Sequence, residues 1–477
     1  MKKILLAFCF VLFTFKIFAQ QFSQYNTGTL YDAFENPAQR AFIPDTSNMY
    51  ASNFLIPNVN LNFFFSGDAQ VTLKERLFRN QYDNSALKIN QNRYNHTSLN
   101  ANAYVLMLRT FYSLNGDVEM GISAQLKAEG KGLISDDTFA ALNGTQSFNN
   151  TTYNNIFNGN YYFQTYNQIS FTYREKVTKR LSIGFKLSAL LGIAYQKLDV
   201  TGSQITYDKQ KDTAGVNLRG TYYSGFTPGK ANIRDYLPNF RNPGASISIG
   251  TIYRTEDNLN IQANIKDLGF IHWSSRSNIY NFNGTANIKG LSTPAREDSI
   301  YNKVYNVIRS GNVRGAFVTP INGVAELSVN KSYWIDDNKD FKYSPTLIAS
   351  KELFYSGFVA GLVNPVQYKN YILTATATYD DLKIFNLGLQ AMYKKPNWEV
   401  YIGTDKLTQT ANMAEYAIQK YPSSFYQNGS YTGADIFIGF SLKFGPVIEH
   451  PMNASTIPTG EKGFLGRVWG RLFKTNN

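Results

Sequence analysis

ADIFIGFSLKF (Ala434–Phe444) decides how this chain is read. Ile436, Ile438, Phe440, Leu442 and Phe444 fall on one face of an extended strand, and Asp435, Phe437, Gly439, Ser441 and Lys443 fall on the other. Successive side chains of a strand point to opposite faces, so one side is apolar throughout and the other carries two charges and a hydroxyl. A soluble sheet with one buried face alternates in the same way. Strand length and the connections therefore have to separate a soluble sheet from a strand set between lipid and water.

LSIGFKLSALLGIAY (Leu181–Tyr195) supplies the length. It keeps Leu181, Ile183, Phe185, Leu187, Ala189, Leu191, Ile193 and Tyr195 on one face. Soluble strands run about 5–6 residues, whereas crossing a bilayer takes about 9–11. NVNLNFFF (Asn58–Phe65), DVEMGISAQLK (Asp117–Lys127) and LNIQANIK (Leu259–Lys266) repeat the alternation. Strands are expected over 49–66, 98–113, 116–131, 160–174, 180–201, 243–254, 258–273, 324–334, 342–354, 356–366, 369–380, 383–394, 398–407 and 432–444. Alternate connections are short. The others, 67–97, 132–159, 202–242, 274–323 and 408–431, are long and rich in Asn, Gly, Ser and Tyr. Short turns on one rim and long loops on the other are the asymmetry of an outer-membrane barrel. The expected fold is all-β: a closed antiparallel transmembrane β-barrel of about 14 strands, with about 12–16 compatible with the pattern. Short periplasmic turns and long extracellular loops would join the strands. VTLKERLF (71–78), DDTFAAL (136–142) and NMAEYAIQKY (412–421) read as small helices in the outer loops.

Composition agrees. Aromatic residues make up 15% of the 477 residues and charged residues only 17%, against about 25% in soluble domains. Mean hydropathy is nevertheless −0.30, as expected when polar and apolar positions interleave. The formal net charge is +13, but the basic residues are scattered rather than gathered in a stripe, which argues against nucleic acid as a partner.

The ends have characters of their own. MKK followed by ILLAFCFVLFTF (Ile4–Phe15) and a site after Ala19 reads as a signal peptide over 1–19, too short to span a membrane. The single cysteine, Cys9, falls inside it, so the exported chain has no disulfide and no thiol nucleophile. Residues 20–48 precede the first strand and are placed to enter the barrel as a lumen segment. The barrel would occupy 49–444 and a tail 445–477. The tail opens on a Pro- and Gly-punctuated linker and ends in FLGRVWGRLFK (Phe464–Lys474). At helical spacing Phe464, Leu465, Val468, Trp469, Leu472 and Phe473 share one face, with Arg467, Arg471 and Lys474 opposite. An interfacial membrane anchor, a brace under the periplasmic mouth and a partner-docking peptide all fit this pattern. Gly463, Gly466 and Gly470 weigh against the helix.

LYDAFENPAQRAF (Leu30–Phe42), within the lumen segment, holds Asn36-Pro37-Ala38. This element resembles the NPA near the mature N-terminus of the FadL-type fatty-acid transporter barrels. Together with IKDLGFIHW (Ile265–Trp273) and the terminal GFSLKFG, it resembles more nearly a family of unknown function in Bacteroidetes-type bacteria. Those proteins are outer-membrane barrels distantly similar to FadL-type proteins and to barrel subunits of the type IX secretion apparatus. The resemblance implies a lumen segment acting as hatch, with Asn36, Pro37 and Ala38 at the gate. It implies passive passage of hydrophobic or amphipathic small molecules or, alternatively, a structural subunit docking partners in a secretion or surface-assembly complex. Location in the outer membrane of a Gram-negative bacterium follows from either, with outer-membrane lipid as a partner. The basic tail departs from the fatty-acid transporters. Read without the resemblance, Asn-Pro fixes a turn and the small Ala lets it pack closely. Ile436, Ile438, Phe440, Leu442 and Phe444 are similar to the terminal signal that barrel-assembly machinery engages, although residues 445–477 follow it.

No enzymatic constellation emerges. His96, His272 and His450 have no metal-ligand spacing, and DDNKDF (Asp336–Phe341) lacks the Gly and Glu of a calcium loop. Walker, dinucleotide and GxSxG fingerprints are absent. The reading is therefore not an enzyme, with no cofactor and no metal.

Overall fold

The computed structural model describes residues 22–79, 83–112, 118–225, 238–418, 431–449 and 463–473. The expected signal peptide, His450 and Lys474 lie outside them. In chain order a short helix α1 (Leu30–Glu35) precedes β1 (Asn48–Ser52) and β2 (Asn58–Ser66). Helix α2 (Gln70–Arg79), β3 (Tyr94–Phe111), β4 (Val118–Ser135), α3 (Asp136–Asn143), β5 (Thr152–Asn154) and β6 (Gly159–Lys176) follow. Then come β7 (Leu181–Asp208), β8 (Thr213–Ser224), β9 (Pro243–Arg254), β10 (Leu259–Trp273), β11 (Asn278–Lys289) and α4 (Arg296–Ile308). The remainder comprises β12 (Asn312–Arg314), β13 (Phe317–Pro320), β14 (Val324–Lys331), β15 (Tyr333–Trp334), β16 (Phe341–Tyr343) and β17 (Thr346–Glu352). It continues through β18 (Phe358–Tyr368), β19 (Tyr371–Asp380), β20 (Phe385–Lys395), β21 (Trp398–Thr404), α5 (Leu407–Ile418), β22 (Tyr431–Val447) and α6 (Phe464–Phe473).

These strands form one closed antiparallel wall. The decisive stretch lies in β22, which pairs with β21 on one side and with β1 and β2 on the other. Closure leaves no sheet edge for lipid to meet, which an unpaired strand in a bilayer would require at several kcal/mol per group. The expected closed antiparallel barrel, of about 14 strands with about 12–16 compatible, is what the chain forms. The sheet has 22 segments, because several long staves are interrupted: β1 with β2, β8 with β9, β10 with β11, and β12 through β14 are collinear pieces. Joined, they stay within the expected range.

Through the membrane zone the apolar face points outward. Ile122, Ile169, Phe171, Leu187, Ile436 and Ile438 are exposed, while Gln125, Gln168, Ser170, Lys186, Asp435 and Ser441 are buried. Phe440, Leu442 and Phe444 share the outer face of β22 and are partly covered. Phe444 packs on Tyr50 and Phe54 at the periplasmic rim.

Above the membrane the polarity inverts. The lower half of β7 pairs with β9, but its upper half pairs with β8, which pairs in turn with β11. There Ile205, Tyr207, Val216, Leu218, Phe282 and Ile288 point inward and join Phe139, Phe148 and Val307 in the apolar core of an outer cap. The register breaks of β7, near Ile193 and Thr201, fall where the inversion occurs. The long loops expected over 202–242 and 274–323 are thus corrected: they contain β8, β11 and helix α4. Outside the bilayer the wall needs no greasy exterior, so these strands turn their apolar residues to the cap core and lose the pattern that marks a lipid-facing strand.

Candidate functional site

The N-terminal segment enters the barrel and fills its lower lumen. Thr29 caps α1, accepting from the Asp32 N–H at 3.2 Å, while the Asp32 carboxylate accepts from the Gly28 N–H at 3.1 Å. These two bonds start a helix of only six residues. Leu30, Tyr31 and Phe34 pack on Tyr104, Met107, Tyr401 and Phe437 of the inner wall.

The wall is shaped to receive the turn that follows. Gly184 of β7 and Gly250 of β9 are direct cross-strand partners. A Cβ at Gly184 would lie 2.1 Å from the Pro37 carbonyl oxygen, and one at Gly250 would lie 2.2 Å from Asn36 Oδ1. The two glycines make a socket that only a bare backbone leaves open. Within it Asn36 Oδ1 accepts from the Ala38 N–H at 3.1 Å, and Asn36 Nδ2 donates to Gln262 at 3.1 Å. Asn36, Pro37 and Ala38 therefore form a tight side-chain-braced turn seated against the wall.

Charge holds the segment on both sides of this turn. Arg109 of β3 and Glu119 of β4 form a fully buried ion pair at 2.9 Å. Arg109 also donates to the carbonyls of Ala33 and Gln39, and Glu119 accepts from the Ala41 N–H at 3.0 Å. Arg174 of β6 donates to the Ala38 carbonyl at 3.0 Å. Opposite, Glu399 accepts from the Leu30 N–H at 2.7 Å, and Lys394 donates to the carbonyls of Thr27 and Gly28. These wall residues escaped individual selection in the sequence. Their signal is a lone charge on the polar face of a membrane strand, which marks the lumen without saying what it meets there.

Above α1 an irregular strand brings two consecutive charges inward. Strict alternation would send Asp267 to the lipid. A bulge in β10 between Ile265 and Leu268, with Asp267 at φ +50°, returns it to the lumen beside Lys266. Lys266 pairs with Glu35 of α1 at 3.2 Å and Glu326 of β14 at 2.8 Å. Asp267 pairs with Lys127 and, at 3.2 Å, with Lys186. Tyr25 donates to Glu326 at 2.7 Å, and Tyr104 to Glu35 at 2.8 Å. Between this network and the cap lies a chamber of about 210 Å³. The segment contributes Phe22, Tyr25, Tyr31 and Glu35 to it, and the wall contributes Asn100, Asn102, Lys127, Glu129 and Asp405.

The tail helix lies elsewhere. Phe464, Val468, Arg467, Arg471 and Leu472 are exposed, Leu465 and Trp469 partly covered. Phe473 ends the helix. The N–H groups of Leu465 and Gly466 donate to the Glu175 carboxylate of β6 at 2.8 and 2.7 Å. The structure therefore brings the turn Asn36–Ala38 and the lumen charges together, and brings neither the tail nor the lipid face of β22 to them. Among the described residues no group of His, Cys, Asp and Glu has the geometry to hold a metal ion.

A closed wall with an apolar belt outside and polar side chains within defines an outer-membrane β-barrel, here with its own N-terminal segment in the lumen. Residues 36–405 match the family described as a family of unknown function, DUF5723, and the chain belongs to that family. Among solved structures it is similar to the P. putida toluene transporter TodX, at 10% identity and a TM-score of 0.40, covering 87% of this chain and 94% of that one. It is also similar to a Pseudomonas aeruginosa FadL homologue, at 11% identity and a TM-score of 0.40, covering 89% and 96%. A search of curated proteins gave no match.

Proposed function

We propose that this outer-membrane barrel is a passive channel for small amphipathic molecules, with residues 22–47 as its hatch. The observation that carries the reading is the shared chamber: the hatch and the wall line one cavity, so moving the hatch reshapes the site. Its lining favours the amphipathic over the wholly hydrophobic cargo. Phe22, Tyr25, Tyr31 and Val359 offer apolar surface, but carboxylates, lysines and amides interleave with them. Asn102 and Asn322 line it, and each carries a buried side-chain oxygen that no donor among the described residues reaches. A cargo with a hydrogen-bond donor and a short apolar body suits such a lining better than a long alkyl chain.

Proteoliposome uptake of a labelled short-chain alkyl amine, compared with a long-chain fatty acid, tests this. The amine should enter faster than into protein-free vesicles, and Gly250→Val, which fills the hatch socket, should change that rate. Uptake equal to protein-free vesicles for wild type and variant alike would count against the channel. The alternative, a barrel subunit that docks a partner, is favoured by the outer cap, which carries its own apolar core beyond the membrane. Affinity capture returning a stoichiometric partner that is lost when the cap loops are exchanged would favour it.

A further inference from the structure

We propose that α6 is an interfacial anchor lying in the periplasmic leaflet against the outside of the barrel, held there by Glu175 and seated on anionic phospholipid. This inference is independent of what the lumen carries.

The first observation is which side of the wall the helix occupies. Along β6, Gln168, Ser170, Thr172 and Arg174 are buried toward the lumen, and Arg174 reaches Ala38 there. Ile169 and Phe171 are on the opposite, lipid-facing side, 46% and 41% exposed. Tyr173 and Glu175 continue that side by period two, yet they are only 7% and 2% exposed. What covers them is α6: the Phe464 N–H donates to the Tyr173 hydroxyl at 3.2 Å, and Glu175 takes the next two N–H groups. The helix is therefore outside the barrel rather than beneath its mouth, at the rim where β6 turns into β7.

The second observation is chemical. A carboxylate on the outer wall of a membrane barrel needs a partner. Among the described residues no basic side chain forms an ion pair with Glu175. It accepts instead from the Tyr173 hydroxyl at 2.8 Å and from the N-terminal N–H groups of α6, where the helix dipole favours negative charge. A Cβ at Gly463 would lie 2.5 Å from the Glu175 carboxyl, so this glycine allows the close approach, and Gly466 is buried beside it.

The third observation names the occupant of the remaining face. Phe464, Val468 and Leu472 recur every four residues and are 58%, 37% and 71% exposed. Arg467 and Arg471 are exposed on the adjoining face. The apolar stripe continues the lipid-facing belt of the wall that α6 touches, and the arginines suit phosphate. A lipid leaflet meets both needs at once.

The sole cysteine, Cys9, precedes the barrel, so single cysteines carrying a nitroxide label can be placed at 464, 468, 472, 467 and 471 of the full-length exported protein. In vesicles of phosphatidylethanolamine and phosphatidylglycerol, collisions with oxygen should exceed those with a water-soluble nickel chelate at 464, 468 and 472, and fall below them at 467 and 471. Glu175→Ala should raise nickel access at 464 and 468 while the barrel stays folded. Replacing phosphatidylglycerol by phosphatidylcholine should make the three apolar positions shallower. Nickel access dominating at all five positions, or neither quencher reaching 464, 468 and 472, would overturn the anchor. Depths indifferent to lipid charge would overturn the choice of anionic phospholipid.

Discussion

At the residue scale, single atoms decide whether the hatch fits. Gly184 and Gly250 stand where any side chain would strike the backbone of Pro37 or the side chain of Asn36. Gly250→Val should dislodge the Asn36–Ala38 turn. Limited proteolysis of the reconstituted protein should then cut within 22–47, where wild type resists, while the unheated barrel keeps its folded gel mobility. Arg109→Ala should be costlier, because it leaves Glu119 buried without its closest cation and removes two carbonyl contacts to the hatch. About 3–5 kcal/mol is expected for breaking such a pair, read as a lower denaturant midpoint for loss of the folded gel form. Asn53 is a third case. It lies in the break between β1 and β2, donates to the carbonyls of Ile56, Tyr104 and Val105, and accepts from the Met107 N–H at 2.8 Å. Its side chain replaces ladder bonds that the break removes, so Asn53→Ala should destabilise the barrel by about 1–3 kcal/mol in the same assay.

At the element scale, the strands were legible and their interruptions were not. β9, β10, β19 and β22 fall within a few residues of their expected ranges, because an apolar residue at every second position has one reading when lipid lies on one side. The bulge at Lys266–Asp267 was hidden for the same reason: alternation predicts a side for Asp267, and only the second charge in succession hints that the side must change. β8 and β11 lack the signature of a lipid-facing strand because their apolar residues face a protein core above the membrane. The N-terminal segment precedes the first strand in the sequence, but its partners Arg109, Glu119, Arg174 and Glu399 come from distant strands, and no local pattern brings those together. Helix α6 forms despite its two glycines, Gly466 and Gly470; Gly466, with Gly463 just before the helix, serves the approach to Glu175. Deleting 464–477 should leave the folded gel mobility unchanged but lower the denaturant midpoint slightly, because it removes two N–H partners of Glu175 at the outer rim of the wall.

At the scale of the whole molecule, three layers stack along the barrel axis: an outer cap with its own apolar core, a polar chamber, and an N-terminal segment clamped by buried charges. The wall supplies rigidity through closure, whereas the hatch is held by hydrogen bonds and ion pairs that side-chain changes can release without opening the ladder. In the proposed channel the hatch closes the lumen. Ion conductance across planar bilayers, recorded for wild type and for Gly250→Val whose hatch has become protease-sensitive, tests it most directly. Low conductance is expected for wild type and a clear increase for the variant. Equal conductance in both, with the hatch displaced in one, would contradict it.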